Sequence, residues 1–229
     1  MNLSAIIANA NTRLVGSTGS STHSSATTSA STAKVTAASS PLAKAAERIQ
    51  KQVDSTKAQL SKLGIIKSSV AGLQTQSKLL SNLPADMSVA DVTTSMGKFF
   101  NAYNYAVSSA NSASSAADGT PGTASARKAA TDLRRAVSAD TEVSSAMKKV
   151  GLKISSDGTL TQDAKVFADA FSRDPAALRS AMKSIGAKVA AASDSELANN
   201  GSLESTVSSL NQRGTLLAAQ QKAIKAYAS

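Results

Sequence analysis

Apolar residues recur along this chain at alternating spacings of four and three, and they do so near both ends of its non-Ser/Thr part. From Pro41 onward the series Leu42, Ala46, Ile49, Val53, Thr56, Leu60 and Leu63 marks a heptad seam on one side of a helix. Ser40 and Pro41 supply its cap and first-turn residue. Gly64 interrupts the phase, and the stripe resumes with Ile66, Val70, Leu73, Ser77 and Leu80 until Pro84 ends it. A second helix carries Val89, Val92, Met96, Phe99, Tyr103, Val107 and Ala110 on one face, and the last helix repeats the seam with Leu203, Val207, Leu210, Gly214, Leu217, Gln221 and Ile224.

Two heptad helices flanking a compact middle can meet as an antiparallel coiled coil, with Ile49, Val53 and Leu60 opposite Leu210, Leu217 and Ile224. In that arrangement Ala46 and Gly214 permit close approach, while Thr56 and Gln221 weaken the seam. Ordinary amphipathic helices in a bundle would give the same periodicity, so both readings stand at this level. The candidate helix-association residues are Leu42, Ile49, Val53, Leu60, Leu203, Val207, Leu210, Leu217 and Ile224.

Between these helices lies the sharpest local grammar in the chain, "GLKISSDGTLTQDAKVFADAFSRDPAALRSAM", residues 151–182. Ile154 and Leu160 flank Asp157-Gly158, a dipeptide that accepts the positive φ angles of a type I′ turn, so a β-hairpin is predicted with Asp157 and Gly158 at its tip. Asp163, Val166, Phe167, Ala170 and Phe171 predict one helix. Asp174-Pro175 caps and opens the next, with Leu178, Ala181 and Met182 facing inward. Asp-Gly followed by Leu also resembles the middle of an EF-hand loop, but setting Gly158 at position six puts Lys153, Ser155 and Ala164 at positions one, three and twelve. The carboxylates that calcium requires are missing, and the acids here read as caps and turn formers.

Composition narrows the function classes. Aromatics make up 3% of the 229 residues, Trp and Cys are absent, and Ala is the largest part of the apolar 41%, which suits thin, closely packed helices rather than a thick core around a pocket. Without Cys there is no disulfide, zinc finger or thiol nucleophile. His23 is the one histidine, in a Ser/Thr-rich run, and neither a triad nor a histidine metal site can be built on it. No phosphate loop has its Lys. Accordingly no enzyme activity, metal or cofactor is expected. No run approaches the roughly 20 apolar residues of a membrane span, and "LSAIIANA" lacks the basic flank of a cleaved secretory signal. Residues 1–40, typified by "GSTGSSTHSSATTSASTAKVTAASS", hold too little apolar surface to offset the entropy of ordering and read as a disordered tail.

The net charge is +10, and it is concentrated: residues 42–80 hold seven Lys/Arg against two acids, and residues 120–153 hold seven against three. Such charge is most commonly a solvated helix surface, and a basic face can also bind nucleic acid, anionic lipid or acidic protein. The stacking aromatics and motifs of nucleic-acid readers are missing, which argues against nucleic acid and places acidic protein partners ahead of it.

Several segments, in order, resemble the flagellar filament-capping protein family, hook-associated protein 2. "GLKISSDGTL…DPAALRSAM" is similar to that family's "GI…dGtL…dp.av..lf" pattern, and "FFNAYNYAVSSANSA", residues 99–113, to its "F…aYN.lv..ln" helix. "ARKAATDLRRAVSA" resembles the short helix that follows. "PLAKAAERIQKQVDSTKAQLSKLGIIKSSVAGLQTQSKLLSNL", residues 41–83, is similar to "PL..l..qi…qa.iSa.g.lkS.l..lq..l..L". The ordered combination covers most of residues 41–222. The family places a β-rich head between the two halves, where this chain has only "PADMSV", and a terminal helix beyond the position of Ser229. The resemblance thus implies the leg of a cap subunit without its plate.

The expected fold is mainly α: an elongated helical bundle or antiparallel coiled-coil stalk with one small β-hairpin and a disordered N-terminal tail. Residues 1–40 form the tail: composition reads it as a floppy terminus or linker, and the resemblance implies an export signal. Residues 41–229 form the stalk domain, divided into heptad helices at 41–83, central helices at 88–150, the hairpin and short helices at 151–200, and a C-terminal heptad helix at 202–229. The implied function is structural, by helix association with flagellin, other filament or cap subunits, or a second copy in a homo-oligomer. The implied location is the flagellum or cell surface, reached by flagellar type III export. The competing expectation is an intracellular scaffold whose basic surface contacts nucleic acid or acidic proteins.

Overall fold

Pro41 opens a single helix of 41 residues, α1 (Pro41–Ser81), in a computed structural model that describes residues 41–115 and 119–228. The expected tail at residues 1–40, with its export signal, lies outside the described residues. Then come α2 (Val89–Ser114), α3 (Pro121–Ser138), α4 (Thr141–Lys149), β1 (Leu152–Ile154), β2 (Leu160–Gln162), α5 (Ala164–Arg173), α6 (Pro175–Leu197) and α7 (Ser202–Ala228). The mainly helical fold with one small hairpin is the one the periodicities predict. Among the described residues no helix is long and apolar enough to cross a membrane.

Several boundaries follow from caps. Ser88 accepts from the Asp91 amide at 3.2 Å and starts α2, and its hydroxyl donates back to the Asp91 carboxylate at 2.6 Å. Asp140 caps α4 through the Glu142 amide at 2.8 Å; Asp163 caps α5 through the Lys165 and Val166 amides, both at 3.1 Å. Asp174 accepts from the Ala177 amide at 2.9 Å, with Pro175 in the first turn of α6. At 23 residues α6 is not one of the short helices expected between 151 and 200. The difference arises because the Leu178, Met182, Ile185 and Val189 face continues unbroken along α1.

Helix α1 is the spine, packing on α2, α3, α6 and α7. Its buried residues from Thr56 on are Thr56, Gln59, Leu63, Ile66, Ser69, Val70, Leu73, Ser77 and Leu80, in steps of three and four apart from the additional Ser69. The change of phase therefore falls between Thr56 and Gln59, where two steps of three meet, and not at Gly64, which stays helical and has open space beside it. The cause lies outside α1: the first turn of α3 sits on this side, with the Gly122 amide donating to Gln59 Oε1 at 3.3 Å. That contact buries Gln59 and leaves Leu60 half-buried.

Helix α6 runs antiparallel along the second half of α1. Lys78 Nζ lies 2.9 Å from Asp194 near the end of α6, and Gly186 approaches so closely that a Cβ there would stand 2.7 Å from both Ser77 O and Ser81 N. The chain then turns at Gly201, whose amide bonds to Ala198 O at 2.7 Å, and α7 continues antiparallel along the first half of α1. Val92, Met96, Phe99, Tyr103, Val107 and Ala110 of α2 are fully buried as the stripe predicts, but Val89 is 54% exposed because the first turn of α2 projects past the core.

Candidate functional site

The proposed association seam is an antiparallel pair of helices in one register. Glu204 of α7 pairs with Lys67 of α1, Gly214 comes beside Thr56, and Gln221 donates to Gln50. Residue numbers thus fall on α7 as they rise on α1, which brings Ile49, Val53 and Leu60 onto the stretch of α7 that holds Leu210, Leu217 and Ile224. Leu203, Leu210 and Leu217 are buried; Ile49, Val53, Leu60, Val207 and Ile224 are half-buried; Leu42 is 36% exposed. Burial grades in this way because, among the described residues, neighbours run out. The last turn of α2 lies beside Lys62 and the first turn of α3 beside Gln59, so the stretch of α1 before Thr56 has α7 as its companion. We call this two-helix segment the stem. Gly214 does not mark the tightest approach: a Cβ there would sit 4.0 Å from Thr56 Cγ2, an ordinary contact. The tight crossing is at Gly186, which the periodicity did not single out.

The hairpin forms where expected, with Leu152 opposite Gln162 and Ile154 opposite Leu160, but its turn differs from the type I′ expectation. The Gly158 amide donates to Ser155 O at 2.9 Å, centring the turn on Ser156 and Asp157, and the Ser155 amide donates to Thr159 O at 2.8 Å. Gly158 follows at φ 86°, giving the longer loop in which a glycine bulge comes after the turn. Asp157 stabilises it from within, its carboxylate accepting from the Thr159 amide at 3.0 Å and hydroxyl at 2.7 Å. These bonds hold its pKa below the ordinary aspartate value.

Helix α2 grips this hairpin. Tyr103 Oη donates to Gly158 O at 3.3 Å and lies 3.4 Å from Leu133 O of α3. Asn104 holds Leu160 by both of its backbone groups, donating to the carbonyl at 2.9 Å and accepting from the amide at 2.7 Å, while Asn111 donates to Asp157 O at 2.7 Å. Burial pushes the Tyr103 phenol well above its ordinary pKa, so it stays a donor throughout the accessible pH range. "AYN" and "DGTL", 55 residues apart, are therefore one device.

Sequence reasoning missed a carboxyl pair at the joint between α6 and α7. Glu196, 3% exposed, accepts from Ser202 Oγ at 2.9 Å and lies 3.4 Å from Lys128 Nζ; Lys128 also pairs with Asp132 of α3. Burial, and then the neighbouring Asp132, push Glu196 upward. Burial alone would raise Asp132 as well, but hydrogen bonds from Lys128 and Glu196 hold it below its ordinary value. The pair borders an open groove of about 600 Å³, which the ion pair between Lys188 and Asp140, at 2.9 Å, also lines. A single Glu within an Ala-rich helical face was the only signal available. Among the described residues no group of three or more His, Cys, Asp or Glu could hold a metal ion.

Neither a family model, nor a curated protein, nor a solved structure matches this chain.

Proposed function

We propose that this protein is a structural component of the flagellar-cap type, exported by the flagellar type III route, that acts by helix association through its stem. The observation carrying this reading is the stem itself: two helices in register whose seam is buried at Leu210 and Leu217 but only half-buried at Ile49, Val53 and Ile224, as in a pair that has room for further helices. The coupling of "AYN" to "DGTL" adds support. Segments that resemble one family's pattern in order are mutual partners in this fold, so they have a common physical reason to occur together.

The connection between α1 and α2 sets the scope of the role. Leu83 is buried and Arg179 donates to Met87 O at 2.8 Å, so the short link where cap proteins carry a head is tied to the bundle. The activity proposed is accordingly that of a leg, binding flagellin, a cap subunit or another copy, rather than a plate closing a filament.

Fractionation of cells with and without a working flagellar export apparatus tests this. Full-length protein is expected outside only when the apparatus works, and the variant lacking residues 1–40 is expected to stay inside. Full-length protein retained in the cell while flagellin is exported overturns the reading. A second reading, an intracellular basic-surface protein contacting nucleic acid or acidic proteins, is favoured by the Lys and Arg on the stem and would then take its place; salt-sensitive DNA binding would mark it.

A further inference from the structure

We propose that the stem carries an open third-helix position that receives an acidic amphipathic helix of another protein. This deepens the helix-association reading and rests on it, though not on the export route.

Nearer the core, that third position is filled by α3. The Gly122 amide bonds to Gln59 of α1 at 3.3 Å, and Ser125 Oγ lies 2.6 Å from Thr206 Oγ1 of α7. Pro121 begins α3, so α3 goes no further along the pair. The two helices do go further. Residues seven apart share a side of a heptad helix, so the side of α1 that holds Gln59 continues through Gln52. The side of α7 that holds Thr206 continues through Arg213, Gln220 and Tyr227, with Leu216 and Ala223 three residues from these positions. Leu216 is 65% exposed and Tyr227 66%. A groove that is occupied at one end by a helix of this chain thus runs on with large apolar side chains facing solvent.

Charge selects the occupant. The stem, taken as residues 42–60 and 210–228, holds seven Lys/Arg against two acids. Glu47 is tied to Lys51 at 2.9 Å, and Asp54 accepts from Gln50 at 2.8 Å. Arg213, and Arg48 one turn from Gln52, border the groove, and no carboxylate shares its side of either helix. A second copy would bring the same basic surface against itself. The chain's own residues 1–40 contain Arg13 and Lys34 and no Asp or Glu. A helix with an apolar stripe edged by Glu or Asp complements the groove in both respects.

The test uses the full-length chain and a fluorescent synthetic peptide of about three heptads, with Leu at the core positions and Glu beside them. Binding by anisotropy is expected, weakening as salt rises. Replacing Leu216 and Tyr227 together by Ser should reduce affinity about tenfold or more without moving the melting temperature, because both side chains are exposed. Arg213→Gln should flatten the salt dependence. A scrambled peptide of the same composition should not bind. No binding of the designed peptide, equal binding of the scrambled one, or unchanged affinity in the double variant would overturn the proposal. So would a Leu216-dependent dimer in sedimentation, which assigns the groove to a second copy, or tighter peptide binding after Ile6 and Ile7 are both changed to Ser, which assigns it to the chain's own first residues. Failed export with intact peptide binding would remove only the flagellar reading, and the reverse outcome would remove only the groove.

Discussion

Tyr103 and Gly158, 55 residues apart, meet where the tyrosine hydroxyl donates to the glycine carbonyl at 3.3 Å. Both ends of this contact are buried, and Leu133 O lies at a similar distance. Tyr103→Phe keeps the ring packing and leaves the buried Gly158 carbonyl without its donor, at about 1–2 kcal/mol. Asn104→Ala removes two bonds to Leu160 and should cost at least as much. Chemical denaturation checks both. Hydrogen exchange at the Leu160 amide should rise sharply in the Asn104 variant, and unchanged protection there would mean that α2 does not hold the hairpin.

Gly158 carries a separate constraint, since φ 86° disfavours any side chain and an added Cβ would fall 1.9 Å from Arg134 Cδ. The arginine can swing away, whereas the backbone angle cannot relax without unmaking the turn. Gly158→Val should therefore cost on the order of 1–3 kcal/mol, and Arg134→Ala in the same chain should recover little of it. Calcium should leave the melting temperature of the unmodified protein unchanged. Stabilisation by calcium would reverse the assignment of Asp157 to the turn.

Two helical glycines should respond to alanine with opposite signs. At Gly186 the new methyl would meet backbone atoms of α1 at 2.7 Å, so α6 must move off its spine at about 1–3 kcal/mol. At Gly214 it would meet Thr56 Cγ2 at 4.0 Å, and the gain in helix propensity, about 0.5–1 kcal/mol, should dominate. Melting temperatures of the two variants decide the matter. Destabilisation by Gly214→Ala would mean that the stem helices lie closer than described.

Leu210 is 2% exposed where α7 crosses α1, so Leu210→Glu buries a carboxylate among apolar neighbours and should cost at least about 3 kcal/mol. Because the stem is held by one seam, amide exchange should speed up in α7 and in residues 42–63 together. Loosening of α7 alone would separate the two helices energetically and remove the basis for treating them as a unit.

Glu196 makes a prediction about pH. Its pKa is raised in the fold above the ordinary 4.5, so the folded protein holds a proton that the unfolded chain releases; this stability is fully present below about pH 4.5 and is lost as pH rises through the folded value. Asp132, held below 3.8, acts in the opposite sense, and its contribution is lost as pH falls through its folded value. Glu196→Gln keeps an acceptor for Ser202 without the charge. Its stability relative to the unmodified protein should rise as pH increases from about 4.5 through the folded value of Glu196. A difference that stays constant with pH would show that Glu196 is ionised as freely in the fold as in water.

What the sequence determined by itself is whatever rests on near neighbours. The stripe from Val92 to Ala110, the caps at Asp163 and Asp174, the hairpin at residues 152–162 and the two heptad helices all arise from spacing and local hydrogen bonding, and these survive into the fold because burial later uses the same faces. Tertiary structure decided the rest. Gln59 displaced Leu60 because the first turn of α3 lands there, and no pattern within α1 records where α3 will land. Gly186 became the close crossing, and Gly214 did not, because the distance between two helices depends on the pair and not on either glycine. The phase shift followed the neighbour and not the glycine at position 64. Glu196 found Lys128, Asp132 and Ser202 only when α3, α6 and α7 converged, and Tyr103 found Gly158 only when α2 lay across the hairpin. Each is a meeting of segments far apart in the chain, and periodicity, a local quantity, says which face of a helix will be covered but not by what.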